Sequence, residues 1–114
     1  MPEPSPNNKP EAYILARKLV VDCYELTHDL PPEEKTNLTK YIRSAAVTVF
    51  LNMARGIFLK KRKKRKKFID STKNNLVIIN AAMEALADVG LITSEQLKQI
   101  IESTSSLYQA IKKE

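Results

Sequence analysis

Between Ile69 and Leu86 the core-facing positions fall at Ile69, Thr72, Leu76, Ile79, Met83 and Leu86, alternating steps of three and four. Only a helix returns side chains to one side at that interval, so this stretch is constrained to be a long one-sided helix with a heptad-like stripe. Three further segments carry the same period. The first has Ala16, Leu19, Val20, Cys23, Thr27 and Leu30; the second has Leu38, Ile42, Ala45, Val49, Met53 and Gly56. The last has Leu97, Ile100, Ile101, Thr104, Leu107, Tyr108 and Ile111. Only two glycines occur in 114 residues, which suits a few long elements and not the many turns of an all-β domain.

The boundaries have their own signals. Pro10 suits a first helical turn, where its missing N–H is no loss. Leu30-Pro31-Pro32 stops the first helix, because each proline disfavours helical geometry in the residue before it. Glu33 and Glu34 place negative charge at the start of the second. Ser44, Ala45 and Ala46 allow a neighbouring helix to approach closely. Gly90 is placed to close the third helix in a left-handed conformation, with Leu91 as its hydrophobic contact. Thr93 and Gln96 have capping-box spacing at the start of the fourth. Helices are therefore expected near 11–29, 33–59, 66–89 and 94–112. Short connections at 30–32 and 90–93 force antiparallel neighbours. The expected fold is all-α, an antiparallel up-down-up-down four-helix bundle over 11–114, preceded by a short disordered tail over 1–10.

Val47, Phe50 and Leu51 lie off the second stripe, and Val77, Ile78 and Ala82 off the third. A bundle needs about one apolar stripe per helix, so the surplus points to a homo-oligomer, the alternative being a wide core.

Catalytic or metal chemistry has little to stand on. His28 is the only histidine, and it lies near the end of the first helix, where an imidazolium suits the dipole. Cys23 is the only cysteine and falls on an apolar stripe, as a packed and inert thiol would; a reducing cytoplasm is the default setting. Two isolated glycines cannot make a phosphate loop. No stretch approaches the roughly 18 apolar residues of a membrane span. The chain is read as a non-enzyme without cofactor or metal. Asn52 stands among Val49, Met53 and Gly56, and a buried amide must find a partner. It reads as a register-fixing hydrogen bond to a neighbouring helix, against the alternative of a ligand contact.

One segment departs from all this. Lys60, Lys61, Arg62, Lys63, Lys64, Arg65, Lys66 and Lys67 are eight consecutive cations, and without these eight the net charge of +6 becomes −2. The body is nearly neutral and carries one intense positive spot, expected in the connection ahead of the third helix. Phosphates are the natural counter-surface, since Lys and Arg displace condensed counterions. No aromatic residues interleave with the run, so it should follow phosphates without reading bases. An anionic membrane or acidic partner, a solvated connection, and a nuclear signal are the competing readings.

The second helix carries a resemblance. Tyr24-Glu25-Leu26-Thr27, Leu30 to Lys35, Leu38, Ile42 to Val49, and Asn52-Met53-Ala54-Arg55-Gly56 resemble the bacterial four-helix-bundle family of ribosomal-RNA intervening-sequence proteins. The accessory variability determinant of diversity-generating retroelements is a more distant relation of the same kind. Ala87 to Thr93 and Glu95 are similar to that family's third-to-fourth helix junction, and the likeness covers roughly 12–112. Two departures stand out: Phe50 where the family usually has proline, and Arg55 where it has an acid. With the basic run, these lean toward the accessory determinant. That resemblance implies a homopentamer, binding of RNA or DNA, and a reverse-transcriptase partner, with Arg55 joining residues 60–67 as the candidate nucleic-acid site. The alternative it leaves is a structural or interaction bundle with no nucleic-acid role.

Overall fold

A computed structural model describes residues 10–56 and 62–112. Among them are four helices and no strand: α1 (Glu11–His28), α2 (Leu38–Gly56), α3 (Arg62–Asp88) and α4 (Ser94–Lys112), with a 3-10 turn over Pro32–Thr36. Each helix packs on two neighbours, in the cyclic order α1, α2, α3, α4, and the backbones of diagonal helices do not approach closely among the described residues. This is the expected all-α four-helix bundle. The tail over 1–9 lies outside the described residues, as do 57–61, which include the expected end of the second helix.

The stripes make the core. Leu19, Cys23, Ile42, Val49, Ile79, Met83, Leu86 and Leu107 are fully buried. Each large aliphatic side chain among them contributes about 1.5–3 kcal/mol of burial. Ala45 and Ala46 are buried as their size suggests, whereas Ser44 is exposed and only its carbonyl is engaged, accepting from Thr48 Oγ1 at 2.9 Å. Ala82, expected off the stripe, is buried instead; Val77 (67% exposed) and Ile78 (44%) do lie outside it. The core also holds Thr27, Thr39, Asn52, Thr72 and Thr104. Three of these hydroxyls bond back to their own helix: Thr27 Oγ1 to Cys23 O, Thr72 Oγ1 to Phe68 O, and Thr104 Oγ1 to Ile101 O. Such local bonds let a threonine be buried without an unpaired donor.

The caps repay comparison with the sequence. Pro10 sits one position earlier than expected, as the N-cap residue, with its carbonyl accepting from Ile14 N. Gly90 has φ +80, Leu91 N bonds Leu86 O at 2.9 Å and Gly90 N bonds Ala87 O at 3.0 Å, a Schellman closure. The residue buried after that glycine is Ile92, while Leu91 stays 37% exposed. Thr93 N donates to Gln96 Oε1 at 2.8 Å and Gln96 N to Thr93 Oγ1 at 3.1 Å, completing the capping box.

Two boundaries move. The second helix was expected from 33, but Pro32 opens a 3-10 turn that ends with Asn37 N on Glu34 O, and the chain changes direction at Asn37 before α2 begins. The third was expected from 66, yet α3 begins at Arg62. Lysine and arginine are good helix formers, and each like-charge pair three or four apart costs only about 0.2–0.5 kcal/mol. That repulsion does not outweigh propagation from a helix already held by Phe68, Ile69 and Thr72.

Candidate nucleic-acid interface

The basic run is therefore helical through Lys67 and not a loose connection; Lys60 and Lys61 lie outside the described residues, and α3 begins at Arg62. Lys63, Lys64, Lys66 and Lys67 are exposed, and Arg65 is half-buried. Among the described residues the one ion pair is Lys18–Asp22, an i,i+4 pair on α1 at 2.7 Å. None of the α3 cations from Lys63 onward forms an ion pair with an acid among the described residues. Positive charge at a helix N-terminus also opposes the macrodipole, and Lys63–Lys67 is a like-charge i,i+4 pair. The segment is electrostatically frustrated in isolation, and an external anion relieves it.

Side-chain contacts fix how far this segment reaches. Asn52 Nδ2 donates to Ser71 Oγ at 2.9 Å, and the Arg55 guanidinium stands 5.9 Å from the Phe68 ring centroid. These two antiparallel contacts share one register, which brings the last residue of α2 level with about Lys67. Thr104 Oγ1 donates to Asn80 Oδ1 at 2.9 Å, and Lys73 Nζ lies 5.5 Å from the Tyr108 ring centroid. By the same reasoning, α4 ends level with about Asp70. Tyr13 of α1 stacks at 5.4 Å on Phe50, so α1 also starts short of the run. The first turn or more of α3 thus extends past the described ends of the other three helices, by about 7 Å at 1.5 Å per residue.

Arg55 is exposed and lies close to the run. Phe50, the other departure from the family pattern, is a packing residue against α1. Asn52 makes the interhelical bond that its burial called for, and no buried side-chain polar atom among the described residues lacks a partner. Lys73 and Lys112 were not singled out in the sequence. Both stand over Tyr108, at 5.5 and 5.6 Å, and add charge to the same end. Lys73 follows the run on α3 itself, whereas Lys112 is far from it in the chain and is brought near by the antiparallel topology.

The opposite end has the opposite sign. Asp29, Glu33 and Glu34 follow α1, and Asp88 and Glu95 flank the α3–α4 junction, so the antiparallel arrangement collects them at the end away from Lys63–Lys67. The described residues thus have a lengthwise charge polarity.

Other features offer less chemistry. An open groove of about 530 Å³ between α1 and α4 is lined among others by Lys18, Asp22, Glu25, Gln96, Gln99 and Glu102, so its charge is mainly acidic. No group of three or more His, Cys, Asp or Glu that could hold a metal occurs among the described residues. His28 is the exposed last residue of α1. Cys23 is buried, and desolvation, with the nearby Asp22 carboxylate, pushes its thiol up to about 12. It stays protonated and unreactive at neutral pH. No described helix is long and apolar enough to cross a membrane. Comparison with known proteins finds one family, described as 23S rRNA-intervening sequence protein, matching residues 8–113. No curated protein matches the chain.

Proposed function

Because the chain belongs to the 23S rRNA-intervening sequence protein family, we propose that it is a non-enzymatic nucleic-acid-binding scaffold whose basic end holds phosphate backbones. The observation that carries this reading is the run on the first turns of α3, which is exposed at Lys63, Lys64, Lys66 and Lys67 and forms no ion pair among the described residues, with Arg55 beside it. Lysine and arginine on phosphates bind through counterion release, so the partner is RNA or DNA with weak sequence preference. The resemblance to the accessory variability determinant extends the reading to a reverse transcriptase of a diversity-generating retroelement as protein partner. A reverse transcriptase encoded next door would support this extension, and position inside a ribosomal RNA gene would oppose it.

The scaffold is proposed to be a homo-oligomer, with five copies as the number the resemblance implies. Val77 and Ile78 on α3, Tyr41 and Leu51 on α2, and Ile101 on α4 leave apolar surface uncovered by the bundle. Several copies would gather several basic runs, and linked sites raise avidity without new contacts. Light scattering should show a species well above 12.9 kDa.

The test of the nucleic-acid role is salt dependence. Each neutralised duplex phosphate contributes about −0.9 to the log–log slope, so engaging half the run gives about −3 to −4 per protomer. Replacing Lys63, Lys64, Arg65 and Lys66 with glutamine should lower affinity broadly while leaving helicity and oligomer size intact. Undiminished binding by that variant would exclude the run as the site. Absence of binding by the parent would leave the interaction-bundle reading in its place.

A further inference from the structure

The run contains no aromatic residue, but α4 brings one to the same end. Tyr108 is 38% exposed, and two ammonium groups stand over its ring, Lys73 Nζ at 5.5 Å and Lys112 Nζ at 5.6 Å from the centroid. The other rings with a cation are differently placed. The guanidinium over Tyr24 is tied down, with Arg43 Nε donating to Thr27 Oγ1 at 2.9 Å, and Phe68 under Arg55 is half-buried. Neither Lys73 nor Lys112 forms an ion pair among the described residues. Asp70 is the one acid from Arg62 to Asn80, and there is none from Ser103 to Lys112. Two ammonium groups that converge on one ring without a carboxylate repel each other, and an anion between them relieves this. The exposed Lys66 precedes Lys73 by two turns on the same side of α3, about 10 Å away along the helix.

From this, and resting on the nucleic-acid reading above, we infer that the α3–α4 seam at the basic end is a single-strand site. One unpaired base stacks on the Tyr108 ring, and Lys66, Lys73 and Lys112 hold the phosphates beside it. The ring is what separates a single strand from a duplex. Inside a duplex both faces of every base are covered by its neighbours, so a ring on a protein surface meets only edges and backbone. An unpaired base can turn its face to the ring. A lysine over an exposed ring is weakly held, and its flexible four-carbon stem lets the ammonium swing from the ring to a phosphate. The ring is then free for the base while the charge stays close. Every base has a π-face, so the site adds affinity without adding sequence preference, in keeping with a phosphate-led partner.

The experiment compares two single DNA strands of about 12 nucleotides, an oligothymidylate and an abasic strand that keeps every phosphate and lacks every base. Binding is followed by fluorescence anisotropy at about 0.1 M salt. The full chain should bind the oligothymidylate about tenfold more tightly than the abasic strand, the effect of one stacked base. Tyr108→Leu should bring that ratio near one and leave the abasic affinity unchanged, whereas Tyr108→Phe should keep the ratio. Lys73→Gln with Lys112→Gln should weaken both strands alike. Equal binding of the two strands by the parent overturns the stacking site and leaves the general phosphate reading standing. A ratio that survives in Tyr108→Leu does the same. A change of oligomer size in Tyr108→Leu, read by light scattering, assigns the ring to a contact between copies and also overturns the site. If the parent binds neither strand, a DNA duplex of about 20 base pairs separates the two readings. Binding of the duplex alone overturns only the single-strand site, and binding of none of the three overturns both. Circular dichroism verifies that each variant keeps its helices.

Discussion

The reach of the basic helix depends on the register between α2 and α3, and Asn52 with Ser71 is the perturbation that probes it. Asn52 is 6% exposed, and its amide donates to Ser71 Oγ at 2.9 Å. Ser71→Ala removes the acceptor and leaves a buried N–H without that partner, a desolvation cost of about 1–3 kcal/mol. Ser71 Oγ is only partly enclosed, so water can recover part of the loss, and we expect about 1–2 kcal/mol. Asn52→Leu with Ser71→Ala replaces both partners by apolar groups and should be nearly neutral, since neither leaves a polar atom stranded. The coupling in the double-mutant cycle should therefore be about 1 kcal/mol or more. For a domain of this size, Ser71→Ala should lower Tm by about 4–8 °C, measured at one fixed protein concentration because assembly shifts Tm. Asn52→Leu should also loosen the register, and weaker protection of α3 amides in hydrogen exchange would report it. A Ser71→Ala cost below about 0.3 kcal/mol with no coupling would refute the reasoning, because the bond would then contribute nothing net.

Two further outcomes are expected. Gly90→Ala should destabilise by about 1–2 kcal/mol in urea unfolding; its φ is +80 and nothing lies within 4 Å of an added Cβ, so the cost is purely conformational. The Cys23 thiol is raised from 9.0 to about 12 in the folded chain, so its contribution to stability is full below pH 9 and is lost as pH rises from 9 toward 12. Cys23→Ala should flatten that part of the pH–stability curve, by up to about 1.4 kcal/mol per pH unit. Equal slopes in parent and variant would contradict the assignment to Cys23.

The sequence alone determined the four helices, the stripe residues, the left-handed Gly90 and the Thr93–Gln96 box, because each is set by geometry within a few residues of backbone. It also marked Asn52 as needing a partner and residues 60–67 as a concentrated charge. The partner's identity, Ser71, could not be read, since it lies nineteen residues away and depends on how α2 slides along α3. Ala82 went unrecognised as core for the same reason. Its burial follows from where α3 stands among its neighbours, and an alanine carries too little hydrophobicity to announce a face. Ile92 took the buried place assigned to Leu91 because the chain path after Gly90 is fixed by the docking of α4. The sequence showed a run of cations. Packing decided that its residues from Arg62 onward are helical, that they extend past the described ends of α1, α2 and α4, and that Lys112 shares their end while the carboxylates gather at the other. Charge is a property of residues, but its direction and reach come from the rigid helix that carries it and the register that holds that helix.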